Sequence, residues 1–452
     1  MKLSTREIRM TLALVWPLLA SMFLIMVGNG LQGTLLSLRG KFEGFSPSLI
    51  GAVMSLYYCG YVFGWFVVPH MIKTVGHIRV FAGFASMAST TILLQGLFID
   101  PWVWGSVRLL SGISFVGLFI VAESWLNNIS TNKLRGQVIS AYFFVINGGL
   151  FAGQFLLNLA PIENISLFIL ISILLSLSLL PITLANKPSP GYEEPEHLPL
   201  KKLVSRSPLS VFSVILTGFV GAGLLAMGPV YAEAIGYSAA RTASMIAVFV
   251  LGSGTLPLLM GWLSDRWDRR QVIILLTGLG VLASAGAHIF DAFLLIAVYF
   301  IGGIMASIHS VSIAMMNDRI KTSQMTSATA SLILVNGLSA CFAPVVLGMT
   351  LDKVGTEPYF IIMGSLFSLL LLYGVYRSFM GPEINIEDQT EFQPIPSRGT
   401  IGMGELVAPV EPPPKGQGLF DKFSMKAQKI FRIKTTAEKD TQISFSELDE
   451  ND

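Results

Sequence analysis

Apolar residues run through the chain in blocks of membrane-spanning length. About 20 such residues cross a hydrocarbon core at 1.5 Å per residue. Blocks of that size fall at 10–36, 47–68, 78–98, 102–124, 137–159, 165–185, 209–232, 240–262, 271–290, 293–316, 326–349 and 358–378. Backbone groups in hydrocarbon must satisfy one another, so the blocks predict twelve transmembrane helices and an all-α polytopic membrane protein. The first block is longer than a signal-peptide core and lacks a small-residue cleavage pattern, so it is read as a retained span.

Two polar stretches divide the chain. Residues 186–208 are rich in proline and charge and fall between spans six and seven, giving an N-terminal six-helix half at 1–185 and a C-terminal half at 209–379. Residues 380–452 lose the apolar blocks and carry Pro394, Pro396, Pro409 and Pro412 to Pro414, the composition of a mostly disordered tail. Within it, 419–434 places Phe420, Phe423, Ala427, Ile430 and Phe431 beside Lys422, Lys426, Lys429 and Arg432, as in an amphipathic helix at an anionic lipid surface.

The halves repeat one another. Asp268 follows Gly76 by 192 residues, Tyr299-Phe-Ile-Gly-Gly303 follows Arg108-Leu-Leu-Ser-Gly112 by 191, and Asn336-Gly337 follows Asn147-Gly148 by 189. Six helices per copy is an even number, so both copies cross in the same direction. Such parallel repeats are associated with transporters whose site lies near the midplane between the halves.

Composition agrees: 52% of residues are hydrophobic and 13% charged, against roughly 25% charged in soluble domains. Lys and Arg number 30 and Asp and Glu 28, so net charge indicates no nucleic-acid partner. Charge placement is more informative. With the N-terminus inside, 17 Lys and Arg before the tail lie on the inner side and 4 on the outer, which puts both termini in the cytoplasm by the positive-inside rule. A bacterial inner (plasma) membrane is compatible with this. Cys59 and Cys341 lie in apolar spans and supply neither a disulfide framework nor a metal cluster.

The loop after span eight reads Gly261-Trp-Leu-Ser-Asp265-Arg266-Trp-Asp268-Arg269-Arg270. It resembles the signature loop of the major facilitator superfamily: a glycine, an aspartate four residues on, then a basic cluster. The corresponding loop of the first half keeps Gly76 but has Lys73 in the aspartate position. Span four resembles that superfamily's second motif through Arg108 and Gly112. The stretch Glu123-Ser-Trp125, Arg135-Gly-Gln137 and Ala141-Tyr142 is similar to the YcaD-like branch. The resemblance spans residues 1–380. It implies the twelve-helix fold of that family and a secondary transporter working by alternating access, most simply proton-coupled.

Polar groups inside the spans are the candidate chemistry. Arg108 lies several residues inside span four, where an unpaired guanidinium costs at least ~2.5 kcal/mol. It either snorkels to the outer headgroups or faces the interior to bind an anionic group or couple to protons. Glu123 lies roughly 22 Å further along the helix, beyond reach of Arg108, and is read either as an inner-gate ion-pair partner of Arg79 or Arg135 or as a proton carrier. Asn29 with Gln32, Tyr57 with Tyr61, and Asn147 with Gln154 each share a helical face; Asn336 is the repeat counterpart of Asn147. Interhelical hydrogen bonding accounts for such residues as readily as substrate binding. His309 adds a group titratable near neutrality. Asp265, Arg266, Arg269 and Arg270 are gate candidates, with Asp265 expected to meet a helix N-terminus across the inner interface and lock the outward-facing state.

No GxxxxGK[ST] phosphate loop occurs, and the five histidines are too scattered for a membrane enzyme. The sequence therefore predicts no enzyme, no cofactor and no metal. It predicts a functional monomer in membrane lipid that moves a small-molecule substrate, a neutral or anionic organic solute, through a site between the halves with a proton as coupling ion. A lipid flippase of the same fold, or a sensor or scaffold acting through the tail, are the alternatives.

Overall fold

The computed structural model describes residues 5–129, 135–183, 198–380, 389–390, 392–396, 399–400 and 403. The first half consists of α1 (Thr5–Phe42), α2 (Pro47–Val75), α3 (His77–Leu97), α4 (Pro101–Ile129), α5 (Arg135–Phe155), α6 (Ser166–Leu177) and its continuation α7 (Leu179–Thr183). A short α8 (Leu200–Arg206) leads into the second half: α9 (Pro208–Ala234), α10 (Ala239–Ser264), α11 (Arg269–Ile289), α12 (Leu294–Asn317), α13 (Met325–Lys353) and α14 (Pro358–Ser378). Among the described residues there is no strand. Twelve segments are long and apolar enough to cross a membrane, counting α6 with α7, and each overlaps a predicted window. The clearest difference is α2, which continues to Val75 rather than ending at 68. Apolarity marks the hydrocarbon slab, whereas the helix ends only at Gly76, whose φ of 86° breaks it.

Helix starts follow local chemistry. Ser46 and Ser238, 192 residues apart, cap α2 and α10 by accepting from the amides of Leu49 and Arg241. Each is preceded by a left-handed glycine, Gly44 (φ 80°) and Gly236 (φ 86°), so the repeat extends to turn geometry. The expected linker is partly helical. Leu203 of α8 is buried, and the Leu198 amide donates to Ser331 Oγ of α13 at 3.1 Å. The candidate amphipathic helix at 419–434 lies outside the described residues.

Within the first half α2 packs on α4 and α1 on α5; within the second, α10 on α12 and α9 on α13. Both α2/α4 and α10/α12 contacts need backbone against backbone. A methyl on Gly60 would lie 2.0 Å from Leu109 O, and one on Gly252 would lie 2.0 Å from Tyr299 O. Small residues allow such approaches where lipid-facing packing must replace a hydrophobic driving force. Between the halves α2 meets α13, α5 meets α10 and α1 meets α9.

The fold predicts a contrast between two glycines. Gly252→Ala forces α10 off α12 and lowers the melting temperature of the detergent-purified protein. Gly278→Ala, with nothing within 4 Å of the added methyl, leaves it equal or raises it, since alanine recovers the roughly 0.5–1 kcal/mol of helix propensity that glycine forfeits. Equal melting of both variants contradicts the packing described.

Candidate functional site

The two faces of the bundle differ. At the face carrying the Gly44, Gly236 and Gly355 turns, here the distal face, the halves are bound together. Ser37 Oγ donates to Ala226 O at 2.8 Å, Ser48 Oγ to Asp352 Oδ2 at 2.6 Å, and Ser55 Oγ to Cys341 O. A methyl on Gly51 would lie 2.2 Å from Pro344 O. Towards the opposite face, which carries the basic loop 265–270, part of the chain beyond α14 occupies the space between the halves.

On the wall formed by the first half, three candidates come together. Asn29 Nδ2 donates to Tyr57 Oη at 3.2 Å, and the Arg108 guanidinium lies over the Tyr57 ring, 4.3 Å from its centroid. Arg108 is 4% exposed, about 10 Å into α4, so it turns inward to α2 instead of snorkelling to the distal face. Close approach makes this possible, since a methyl on Gly112 would lie 2.0 Å from Tyr57 O. Tyr61 follows one turn on and packs edge-on against Phe119, ring centroids 6.3 Å apart. Gln32 is buried one turn from Asn29; its Nε2 has no hydrogen-bond partner among the described residues.

Other amides hold helices together. Gln154 Oε1 accepts from Thr34 Oγ1 and its Nε2 donates to Gly30 O, both at 2.7 Å, binding α5 to α1. The counterparts Asn147 and Asn336 diverge. Asn336 Nδ2 donates to Val214 O at 2.9 Å and Thr217 Oγ1 at 3.0 Å, and stands 3.5 Å from His309 Nδ1. Asn147 bonds its own helix through Phe143 O at 2.9 Å and lines a small pocket with Phe143, Ser253, Met305, Ala306 and Pro396. His309 is fully buried, and its Nε2 has no partner among the described residues.

Glu123 is also fully buried, but not as the sequence suggested. Its partners are the Tyr142 hydroxyl at 3.3 Å on Oε1 and, on Oε2, the amides of Thr400 at 2.9 Å and Met403 at 3.1 Å together with the Thr400 hydroxyl. The expected ion pair with Arg79 or Arg135 does not form; Arg135 donates instead to Asn127 Oδ1 at 3.0 Å. The depth of the side chain explains this, because it points into the space between α4 and α5 rather than out at the loop.

In the basic loop, Asp268 caps α11 through the Arg270 amide at 2.7 Å. Among the described residues, Asp265 has no hydrogen bond or ion pair with a helix of the other half. It accepts from the Phe392 amide at 3.1 Å and lies 3.8 Å from Arg269; the intervening chain separates the halves here. Arg269 pairs with Asp318 at 2.9 Å. Burial raises the Asp318 carboxyl above the ordinary aspartate range, opposed by the Arg269 cation and the Thr390 donors. Arg270 donates to Arg377 O at 3.4 Å, while Arg266 turns outward over the Trp262 ring, 4.1 Å from its centroid.

Comparison with known proteins agrees with this architecture. The sequence matches the Major Facilitator Superfamily over residues 18–287 and 233–410. The chain belongs to the major facilitator superfamily. It is 24% identical over 363 residues to an uncharacterized MFS-type transporter of Enterobacter sp. (strain 638), covering 78% of this chain and 93% of that one. It is 25% identical over 362 residues to the uncharacterized MFS-type transporter YcaD of Escherichia coli O45:K1 (strain S88 / ExPEC), with the same coverage. Among solved structures, the nucleoside transporter NupG superposes with a TM-score of 0.66 at 14% identity, over 82% of this chain and all of that one. FucP in the outward conformation gives 0.54 at 14% identity, over 81% and 99%.

Within this superfamily member, sequence reading passes over Asp318 and Ser310, and gives neither Tyr142 nor the tail residues a place in the site. Asp318 had a signal: it stands 191 residues after Asn127, a polar residue near the end of the fourth helix of the first half. His77 with Ser124 at 3.0 Å and Arg269 with Asp318 are the neutral and charged versions of one tie. The tail residues gave none, because their partners lie from 72 to 338 positions away.

Tyr57 separates two contributions. Tyr57→Phe removes the acceptor of Asn29 but keeps the ring beneath Arg108, and is expected to lower stability by about 1 kcal/mol. Tyr57→Ala also removes the ring and is expected to cost about 3 kcal/mol or more. Thermal unfolding in detergent measures both; similar losses contradict a structural role for the ring.

Proposed function

We propose that this major facilitator superfamily protein is a secondary transporter that moves a small neutral or anionic organic solute by alternating access, with a proton as coupling ion. The observation carrying this reading is the opposition of the two faces. The halves are bound together at the distal face, and toward the other face they enclose a pocket lined by both. That is the geometry of one end-state of a rocking mechanism. The excess of basic residues supports assigning the face with the basic loop and both termini to the cytoplasm, and a bacterial inner membrane as the setting. The protein then stands inward-facing and works as a monomer in lipid.

Roles follow from position. Arg108, held over Tyr57 beside Asn29, supplies positive potential at the distal end of the path and favours an anionic or hydrogen-bonding group over a cation. Asn147 with Ser253 contributes polarity at mid-depth, and His309 with Asn336 forms a second polar group in the other half. Glu123 is the coupling group. It is the acid buried within α4, and its proton is gained or lost as the halves rock and its surroundings change. Asp265, Arg266, Arg269 and Arg270 form the gate at the cytoplasmic face.

Two measurements test these roles. In proteoliposomes with an imposed pH gradient, Glu123→Gln is expected to abolish uphill accumulation while retaining solute exchange at equal pH; accumulation at wild-type level removes Glu123 from coupling. In a thermal-shift screen of sorted solutes, anionic or neutral ligands of the wild type are expected to lose their shift in Arg108→Ala. Ligands whose shifts survive unchanged rule out the guanidinium as a substrate contact.

A further inference from the structure

The chain beyond α14 enters the space between the halves and turns back. Thr390 lies at the basic face, where its amide and hydroxyl donate to Asp318 Oδ1 at 2.9 and 2.8 Å. The Phe392 amide donates to Asp265, and its ring covers Gly261, where an added methyl would lie 2.2 Å from the ring. Ile395 is bonded twice to Ser310, its amide donating at 3.1 Å and its carbonyl accepting at 3.2 Å. Ser310 lies about 10 Å inside α12. Pro396 lines the pocket beside Asn147, Ser253 and Ala306. Gly399 O accepts from Tyr61 Oη at 3.5 Å, near the middle of α2, and Thr400 and Met403 close the excursion on Glu123 of α4.

This path runs inward along α10 and α12 of the second half and outward along α2 and α4 of the first. Ile395, Thr400 and Met403 are at most 1% exposed. Non-helical backbone at membrane depth persists only where protein or a water-filled cavity receives its polar groups, and here carboxylates and hydroxyls of both halves do so. Pro394 and Pro396 contribute by omission: they carry no N–H that would need a partner, and they hold the strand extended. These described positions are ordered ones within a tail expected to be mostly disordered. The segment has no helical period because its ordering comes from the cavity wall.

We propose that the segment carrying the described residues 389–390, 392–396, 399–400 and 403 is a tethered plug, an internal occupant that docks in the cavity between the halves, covers Glu123 and competes with any solute for the pocket. By bridging both halves it also keeps them from closing at the basic face, so a transporter with the plug seated is held in one state. Because the plug is part of the same chain, its effective concentration is of millimolar order, and even weak intrinsic affinity keeps it seated. Modest competition then releases it. Occupancy by the plug is independent of the transport reading; the inhibition it causes rests on that reading.

The test reads occupancy without a substrate. In a Cys59→Ser, Cys341→Ser background, Ala306→Cys places a reporter thiol in the pocket, and its labelling by a small maleimide is timed in the full chain. Replacing 389–403 with a Gly/Ser stretch of equal length is expected to speed labelling by about tenfold or more, as release from a millimolar tether allows. Synthetic peptide 389–403 added in trans is expected to slow it again. Thr400→Pro, which deletes both Thr400 donors to Glu123, gives an intermediate rate and supplies the readout should the replaced chain fail to fold. Equal labelling rates in native and plug-disrupted chains overturn the plug. Faster labelling with no change in solute flux retains the docking and removes the inhibitory role.

Discussion

Hydrocarbon offers no hydrogen-bond partner, and every feature of this protein answers that constraint. An unsatisfied backbone group in lipid costs several kcal/mol, so the spans are helices that satisfy themselves. Where chain beyond α14 leaves helical geometry at membrane depth, side chains of the bundle receive it instead. Asp318, Asp265 and Glu123 each accept an amide, and Ser310 both accepts and donates. The groups that a transport cavity needs are thus the groups that receive the inserted segment.

The same constraint organises the interior polar residues by half. Asn29, Tyr57 and Arg108 are grouped on one side, and His309, Asn336 and Thr217 on the other. Gln154 shows the alternative outcome, with both ends of its amide bonding α1. An amide in a span is therefore either a tie inside one half or a group facing the boundary between the halves, and which one depends on its neighbours. Asn147 and Asn336 make the point within one repeat: equivalent in sequence, one lines the pocket and the other bonds to α9.

Asymmetry between the halves is itself informative. Turn geometry, caps and glycine contacts recur at nearly constant offset, so the scaffold is duplicated. Charge is not. The tie between third and fourth helices is His77 with Ser124 in the first half and Arg269 with Asp318 in the second, while the buried Glu123 corresponds to no acid in the second half. Duplication supplies two similar six-helix halves, and divergence places acid chemistry differently on each.

The sequence by itself determined the twelve spans, their division into two parallel halves, the family and the polar side chains available. Those follow from apolar length, composition and repeat spacing, which are local or periodic properties of the chain. It located Arg108 and Glu123 as unusual, because a charge inside an apolar block is visible without coordinates. Their partners were not visible. That Arg108 lies over Tyr57, that Glu123 meets Thr400 rather than a basic residue, and that Asp265 receives Phe392 are long-range contacts that no periodicity encodes. The segment at 389–403 shows the limit most clearly. Read alone it is polar and proline-rich with no core to bury; only the cavity between the halves supplies the acceptors that hold it.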